Sequence, residues 1–289
     1  MGGKLTMRDT AVILDVHKYR YLTATQIEKL HFPSMQMAWR RLHVLTTLGF
    51  LKAFTTPNIN ERIFYLDKQG AEIVAGELHV EVQYLTPGKI PKDYYFLKHF
   101  LAINDFRILI TKACQQSEIN LLGFIPEYIG EKTKEGYVKK YIRDKVSDLM
   151  PSVNREYSHT PDAVFSLEKD GKPALFFLEI DRGSEIVGDP EKGFLKCIVF
   201  YQHYWSEKKW IRYNEDFHRE FKTFRLLVVT TGNERLTHMR EAVTRLPFPD
   251  SQVKRFLWGT IQGWLRVETV FDPLWQSMDA TDLTPYKIG

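Results

Sequence analysis

Three helix-start signals lie near the beginning of the sequence, and they constrain the fold of this chain more than any other feature. Two are capping boxes, in which a threonine stands three residues before an acidic or amide side chain: Thr6 with Asp9, and Thr23 with Gln26. Ser34 can cap a third helix, and Gly49 stands where a residue of left-handed backbone commonly ends one. We therefore expect three short helices in succession, at residues 8–19, 24–30 and 35–48.

A β-hairpin is expected directly after the third helix. Two apolar stretches, at 50–54 and 62–66, flank the turn-forming sequence 56–60, and a further helix is expected at 67–78. Within the third helix, apolar residues recur with helical spacing and predict a buried stripe: Ala38, Leu42 and Leu45. Three helices followed by a hairpin is the order of elements in a winged helix-turn-helix, and we assign this fold to residues 1–85.

The pattern changes after residues 86–91, a stretch rich in Pro and Gly that is typical of a linker. A long helix is expected at 93–116, and residues 131–157 are polar without clear periodicity. The other expected elements are strands at 119–128, 162–168, 173–181, 224–231 and 255–261, and helices at 190–207 and from 233 onward. Residues 92–289 should therefore form a second domain of the α/β (α+β) class, with a mixed sheet flanked by helices.

Composition excludes several classes of protein. Hydrophobic residues make up 44% of the 289, which is enough for a packed core and too many for a disordered chain. No apolar run is long enough to cross a membrane. The two cysteines, Cys114 and Cys197, are too few for a disulfide scaffold or a cysteine-cluster zinc site. We expect a cytoplasmic protein with no membrane partner.

The basic charge is confined to the first third of the chain. Residues 1–98 hold 13 Lys and Arg and 9 Asp and Glu, so they carry the whole formal net charge of +4. A basic module joined to a neutral one favours an anionic partner such as double-stranded DNA, although an ordinary solvated surface has the same composition. In the third helix, Gln36, Arg40 and Arg41 should point away from the buried stripe and can contact base edges or phosphates, with Arg62 beside the hairpin turn.

The polar segment 131–157 carries seven basic residues interleaved with tyrosines, a pattern that suits single-stranded or nicked DNA. Lys139 and Lys140 are its candidate DNA contacts. Five acidic residues dilute its charge, so a plain flexible insert fits the segment equally well.

A second hairpin carries the strongest chemical pattern. Asp170-Gly171 favours a two-residue type I′ turn, and the register set by that turn places Asp162 opposite Glu179. Asp181 lies two residues beyond Glu179 and shares its face. Like charges in an apolar setting are costly unless a cation offsets them, so these three carboxylates predict a site for Mg²⁺ or Mn²⁺. The alternative is a solvated strand end.

Lys196 follows on the next expected helix. Carboxylates, a divalent ion and a lysine together form a set that can hydrolyse phosphodiester bonds, with Asp162, Glu179, Asp181 and Lys196 as catalytic candidates. A lone helical lysine is also compatible with simple exposure to solvent.

Residues Thr160-Pro161-Asp162 and Leu178-Glu179-Ile180-Asp181 resemble the PD-(D/E)xK nuclease superfamily. The expected order from 93 to 231, helix–strand–strand–strand–helix–strand, is also similar to that superfamily's core. Asp181 stands where the superfamily usually has lysine, and Lys196 would supply the amine from the helix, as in variants with a migrated lysine.

The whole chain is similar to the replication-relaxation family of plasmids, phages and mobile elements. The stretches that carry the resemblance are Leu22–Ile27, Arg40–Leu51, His99–Phe106, Pro161–Ala163 and Leu178–Glu185, with Lys196 and Tyr201. The resemblance implies a DNA-binding winged helix joined to a nuclease-like domain, used in plasmid replication or DNA relaxation.

Three functions remain open from the sequence. The first is a metal-dependent DNA endonuclease or nickase directed by its winged helix. The second is a non-catalytic replication initiator or relaxosome accessory protein, in which the nuclease-like domain only binds DNA or partners. The protein partners that we expect in general are a second copy of the chain, as a homodimer, or other replication or relaxosome proteins. The third is a winged-helix transcriptional regulator. The sequence has no His-x-His pair and no phosphate-binding G-x-x-x-x-G-K-[ST] loop, which argues against a metal-dependent tyrosine relaxase and an NTP-driven motor.

Overall fold

A computed structural model gives the structure of the chain. The described residues are 5–82, 85, 94–133, 136–146, 157–189, 191–247, 257–261 and 269–289, without the side chains of 94–95, 128–133, 136–141 and 261. The chain divides into two compact units. The first comprises Met1–Ile108 with Glu131–Val138, and the second comprises Leu109–Gly130 with Lys139–Gly289.

The first unit begins with the three helices that the capping signals predict. They are α1 (Met7–Tyr19), α2 (Ala24–His31) and α3 (Met35–Thr47). Both capping boxes are formed, and the hydroxyl of Ser34 accepts a hydrogen bond from the backbone N–H of Met37 at 3.4 Å. Gly49 has a φ of 75°, so the left-handed residue also stands where the sequence predicts it.

The hairpin follows as β2 (Leu51–Thr56) and β3 (Ile59–Leu66), and α4 (Lys68–Leu78) packs after it. The two-residue strand β1 (Leu22–Thr23) adds a third strand by pairing with Ile63 and Phe64 of β3. The sequence did not predict β1, because two residues are too few to show a period. The buried stripe of α3 is fully inaccessible to solvent, as expected. The N-terminal fold is a winged helix-turn-helix.

The first unit continues beyond residue 85, where its end was expected. The first part of α5 (Tyr94–Gln115) belongs to this unit. Buried side-chain amides form hydrogen bonds between that helix and the winged helix. The amide of Asn104 donates to the carbonyls of Tyr19 at 3.1 Å and Tyr21 at 2.8 Å. The amide of Gln26 donates to the carbonyl of Leu101 at 2.9 Å. The expected linker, 86–91, lies outside the described residues.

The second unit is built on a seven-stranded mixed sheet in the order β14-β13-β12-β11-β10-β9-β4. Its strands are β4 (Asn120–Pro126), β9 (Ala163–Lys169), β10 (Lys172–Ile180), β11 (Phe224–Thr230), β12 (Leu257–Ile261), β13 (Trp275–Ser277) and β14 (Pro285–Tyr286). Strands β4, β9 and β10 are antiparallel neighbours, whereas β10, β11 and β12 run parallel. The strands of this sheet follow the expected order, helix–strand–strand–strand–helix–strand, from α5 to β11, but four further strands of the described chain lie between β4 and β9, and short helical segments at 209–217 lie before β11.

Helices α6 (Gly193–Ser206) and α8 (Asn233–Thr244) pack in one hydrophobic core with β10 and β11. Phe177 of β10 lies at its centre, with edge-on contacts to Tyr201 and Tyr204 of α6. The short helix α7 (Tyr213–Phe217) was not predicted. No described helix is long and apolar enough to span a bilayer.

The polar segment at 131–157 contains more regular structure than its composition indicates. Strand β5 (Tyr128–Thr133) pairs with β6 (Gly136–Tyr141), and β7 (Asp144–Val146) pairs with β8 (Tyr157–His159). Strand β8 matters for the candidate site, because it ends three residues before Asp162.

Candidate functional site

The outer face of α3 presents a continuous row of polar side chains. Gln36, Arg40, His43 and Thr47 are all exposed and recur at intervals of four, three and four residues, so they lie on one side of the helix. The buried stripe lies on the opposite side. Gln36 and Arg40 are placed as the sequence predicts. His43 and Thr47 were missed, although the same periodicity extends to them.

Arg41 does not belong to this outer face. Its side chain is 25% exposed, and its guanidinium forms a bidentate ion pair with the buried carboxylate of Asp9 on α1. Successive residues of a helix are turned by about 100°, which directs Arg41 toward α1 rather than outward. The structure therefore gives Arg41 an intramolecular partner that the sequence did not indicate.

Arg62 connects α3 with the hairpin. It is exposed on β3, and its guanidinium lies 5.9 Å from the centre of the Trp39 ring. Trp39 is itself 37% exposed and was not predicted as a surface residue. The geometry fits a cation–π contact that holds the arginine beside the outer face of α3.

The second hairpin has the turn and register that the sequence predicts. Asp170 and Gly171 both have positive φ, 51° and 69°. Pairing runs from Lys169 opposite Lys172 to Ala163 opposite Leu178, which leads directly to Asp162 and Glu179.

Each of the three predicted metal ligands nevertheless has its own partners. Asp162 accepts a hydrogen bond from the backbone N–H of Ile180 at 2.6 Å. Glu179 accepts one from the Tyr201 hydroxyl at 2.6 Å, and the same oxygen lies 2.7 Å from Nε2 of His159.

Asp181 binds Arg235 of α8 through both carboxylate oxygens, at 2.8 and 2.9 Å. Among the described residues, the oxygen atoms of Asp162, Glu179 and Asp181 do not converge as a shared set of ligands. The hairpin register correctly predicted that the carboxylates lie close enough to repel one another. It gave no information on the groups that offset this repulsion, which are His159 of β8, Tyr201 of α6 and Arg235 of α8. No local pattern in the sequence indicated Arg235 or His159.

A fourth acidic residue adds to this group. We call Asp162, Glu179, Asp181 and Glu185 the acidic cluster. Burial raises the pKa of Glu185, and the negative charges of Asp181 and Asp162 raise it further. Burial also raises the pKa of Glu179, against the lowering effect of His159. The pKa values of Glu179 and Glu185 therefore remain raised although His159 and Arg235 lie beside the cluster, and a bound cation would lower them.

Three predicted site residues remain, all of them lysines. Lys196 is exposed on α6, and no hydrogen bond or ion pair joins it to the acidic cluster in the described part of the chain. Lys139 and Lys140 lie in β6, but their side chains are outside the described residues.

A family model described as replication-relaxation matches residues 14–219. Among solved structures, the crystal structure of a mutant of MarR from E. coli complexed with operator DNA matches at 18% identity, with a TM-score of 0.24. That match covers 34% of this chain and 74% of the other. No curated protein matches. Because the family model spans well over half of the sequence, the chain belongs to the replication-relaxation family.

Proposed function

We propose that this protein binds duplex DNA through α3 and the adjoining hairpin, and that it acts in DNA replication or relaxation. The observation that carries the proposal is the outer face of α3, on which four exposed polar side chains stand opposite a fully buried stripe. The family supplies the replication context.

The chemistry of that face suits the major groove, which admits an α-helix. Arginine donates two hydrogen bonds to guanine, and glutamine pairs with adenine, so Arg40 and Gln36 are the base-reading candidates. Arg62, held beside Trp39, would contact a phosphate. The net positive charge of the first 98 residues favours this approach.

The test is binding of the full chain to duplex DNA, measured by fluorescence anisotropy over a range of salt concentrations. We expect Arg40→Ala to weaken binding by about 5- to 150-fold, since a good side-chain contact to a base is worth ~1–3 kcal/mol. Arg245→Ala is the matched control, because Arg245 is an exposed arginine of the second unit. Failure of the parent to bind any duplex at low salt, or equal losses in the two variants, would overturn the proposal.

A second candidate function is cleavage of DNA at the acidic cluster with Mg²⁺ or Mn²⁺, as a nickase. The observation that favours it is that the negative charge of Asp162 adds to the effect of burial in raising the pKa of both Glu179 and Glu185. Asp162 and Glu179 would hold the ion, which would polarise the phosphate. Asp181 would join them only after releasing Arg235, and Lys196 would neutralise charge from α6.

This candidate is tested by incubating the full chain with supercoiled plasmid in Mg²⁺, Mn²⁺ or EDTA. Metal-dependent nicking that is lost in Asp162→Asn and Glu179→Gln, but kept in the partly exposed control Asp189→Asn, supports it. DNA binding without nicking would instead favour the accessory or regulatory role. Nicked and single-stranded DNA, with Lys139→Glu and Lys140→Glu, test the contribution of the 131–157 segment.

A further inference from the structure

Three side chains of different chemical type meet beside the acidic cluster. His159 comes from the end of β8, Glu179 from β10 and Cys197 from α6. Nε2 of His159 lies 2.7 Å from Oε1 of Glu179 and 3.7 Å from Sγ of Cys197. All three ligand atoms lie within 4.8 Å of one another. The imidazole nitrogen is thus directed at the space between a carboxylate oxygen and a sulfur.

Nitrogen, oxygen and sulfur together are the donor set of zinc and related transition metals, whereas Mg²⁺ prefers oxygen alone. A tetrahedral zinc ion with bonds of about 2.0 Å to nitrogen or oxygen and about 2.3 Å to sulfur separates its nitrogen and sulfur ligands by about 3.6 Å. The observed distance of 3.7 Å between His159 and Cys197 already fits. The distance from His159 to Glu179 would have to open by less than about 1 Å.

The surroundings hold these ligands in place and leave them reachable. Tyr201 donates to Glu179, and the His159 ring lies 5.2 Å from that of Phe200 between ring centres. Such outer contacts orient the ligands of metal sites. The side chains of His159 and Glu179 are 25% and 16% exposed, which gives an ion a path from solvent.

We propose that His159, Glu179 and Cys197 form a binding site for Zn²⁺ or a similar transition metal ion. Three protein ligands leave a fourth tetrahedral position for water or for an oxygen of a bound phosphate group. The site differs from the Mg²⁺ or Mn²⁺ set expected at the hairpin, because it replaces two aspartates by a histidine and a thiolate. It does not depend on DNA binding or on cleavage, and its test contains no DNA.

The experiment uses the full chain after removal of metal with a chelator. Zn²⁺ and Mg²⁺ are titrated by calorimetry, and Co²⁺ is added as a spectroscopic probe because a thiolate ligand gives it a charge-transfer band. We expect one Zn²⁺ per chain with a dissociation constant of about a micromolar or tighter, weak binding of Mg²⁺, and a thiolate band with Co²⁺.

Cys197→Ser should remove the thiolate band and weaken Zn²⁺ binding at least about tenfold, and His159→Gln should weaken it similarly. Cys114→Ser is the matched control, since Cys114 is the other cysteine and is also half-buried. If the Cys197 variant does not fold, alkylation of the parent gives the answer: Zn²⁺ should slow iodoacetamide modification of Cys197 but not of Cys114. Absence of Zn²⁺ binding at millimolar concentration, or equal protection of both cysteines, would overturn the proposal.

Discussion

Asp181 and Arg235 form a bidentate ion pair that joins the end of β10 to the first turn of α8. Two guanidinium nitrogens lie 2.8 and 2.9 Å from the two carboxylate oxygens, and the Thr230 hydroxyl donates to the same carboxylate at 2.6 Å. Burial raises the pKa of Asp181, but the hydrogen bonds from Arg235 and Thr230 outweigh it, so the net pKa is lowered. The carboxylate therefore stays charged, with a protein cation where a metal ion was expected.

Removing this partner should cost stability. The side chains of Arg235 and Asp181 are 19% and 4% exposed, so Arg235→Ala leaves a nearly buried charge unpaired. We expect the free energy of unfolding to fall by about 2–4 kcal/mol in urea denaturation. Arg219→Ala is the control, because Arg219 pairs with Glu168 at 2.7 Å but is 41% exposed, and it should change little. Equal effects of the two substitutions would contradict the assignment.

Arg40 and Arg41 are adjacent in sequence, and substitutions at the two should have opposite consequences. Arg41→Ala leaves the buried Asp9 carboxylate without its guanidinium, so we expect a loss of about 2–3 kcal/mol in thermal or urea unfolding. Arg40→Ala should leave stability unchanged, since Arg40 is exposed, while it weakens DNA binding. A stable Arg41→Ala variant would show that its ion pair is not required.

Asp9 should give the first unit a dependence on pH in the acid range. Burial raises the pKa of Asp9, but hydrogen bonds from Arg41 and Thr6 outweigh it and the net pKa is lowered. A lowered pKa in the folded state contributes stability above the unfolded value of about 4, and this contribution is lost as the pH falls through the folded value. The stability difference between the parent and Asp9→Asn, measured in urea from pH 6 to pH 2, should therefore shrink below about pH 4. A difference independent of pH would refute this.

Two glycines of α4 offer a test of how closely that helix approaches the chain between α3 and β2. A Cβ added at Gly70 would lie 2.2 Å from the carbonyl oxygen of Phe50, whereas one at Gly76 would meet nothing within 4 Å. Gly70→Ala should lower the free energy of unfolding by about 1–3 kcal/mol because backbone must move. Gly76→Ala should raise it by about 0.5–1 kcal/mol, since alanine favours the helix. Thermal denaturation of both variants tests these expectations. If Gly70→Ala leaves the stability unchanged, the backbone near Phe50 moves without cost and the close approach does not constrain the fold.

The sequence predicted correctly the features whose hydrogen bonds join residues only a few positions apart. Capping boxes satisfy backbone N–H groups three residues away, so Thr6 and Thr23 placed two helix starts correctly. The Asp170-Gly171 turn fixed the register of its hairpin for the same reason, since a two-residue loop leaves no freedom in how the strands pair.

The acidic cluster shows where this local reasoning stops. Asp181 and Arg235 are 54 residues apart, and Glu179 and His159 are 20 apart, with no spacing that a motif could show. A buried carboxylate such as that of Glu179 or Asp181 is costly without a hydrogen-bond or ion-pair partner. The elements that pack on β10 determine which residue provides it. The same holds for Arg41. It pairs with Asp9, which lies 32 residues away in sequence, whereas the neighbouring Arg40 is exposed.

The sequence by itself therefore determined the winged helix, the second hairpin and the positions of the acidic residues along it, because short-range hydrogen bonds and alternating side chains fix these features. Only the tertiary structure decided that α5 extends the first unit, that Arg235 neutralises Asp181, and that His159 and Cys197 meet Glu179. Those outcomes depend on which distant groups satisfy buried polar atoms, and packing sets that choice.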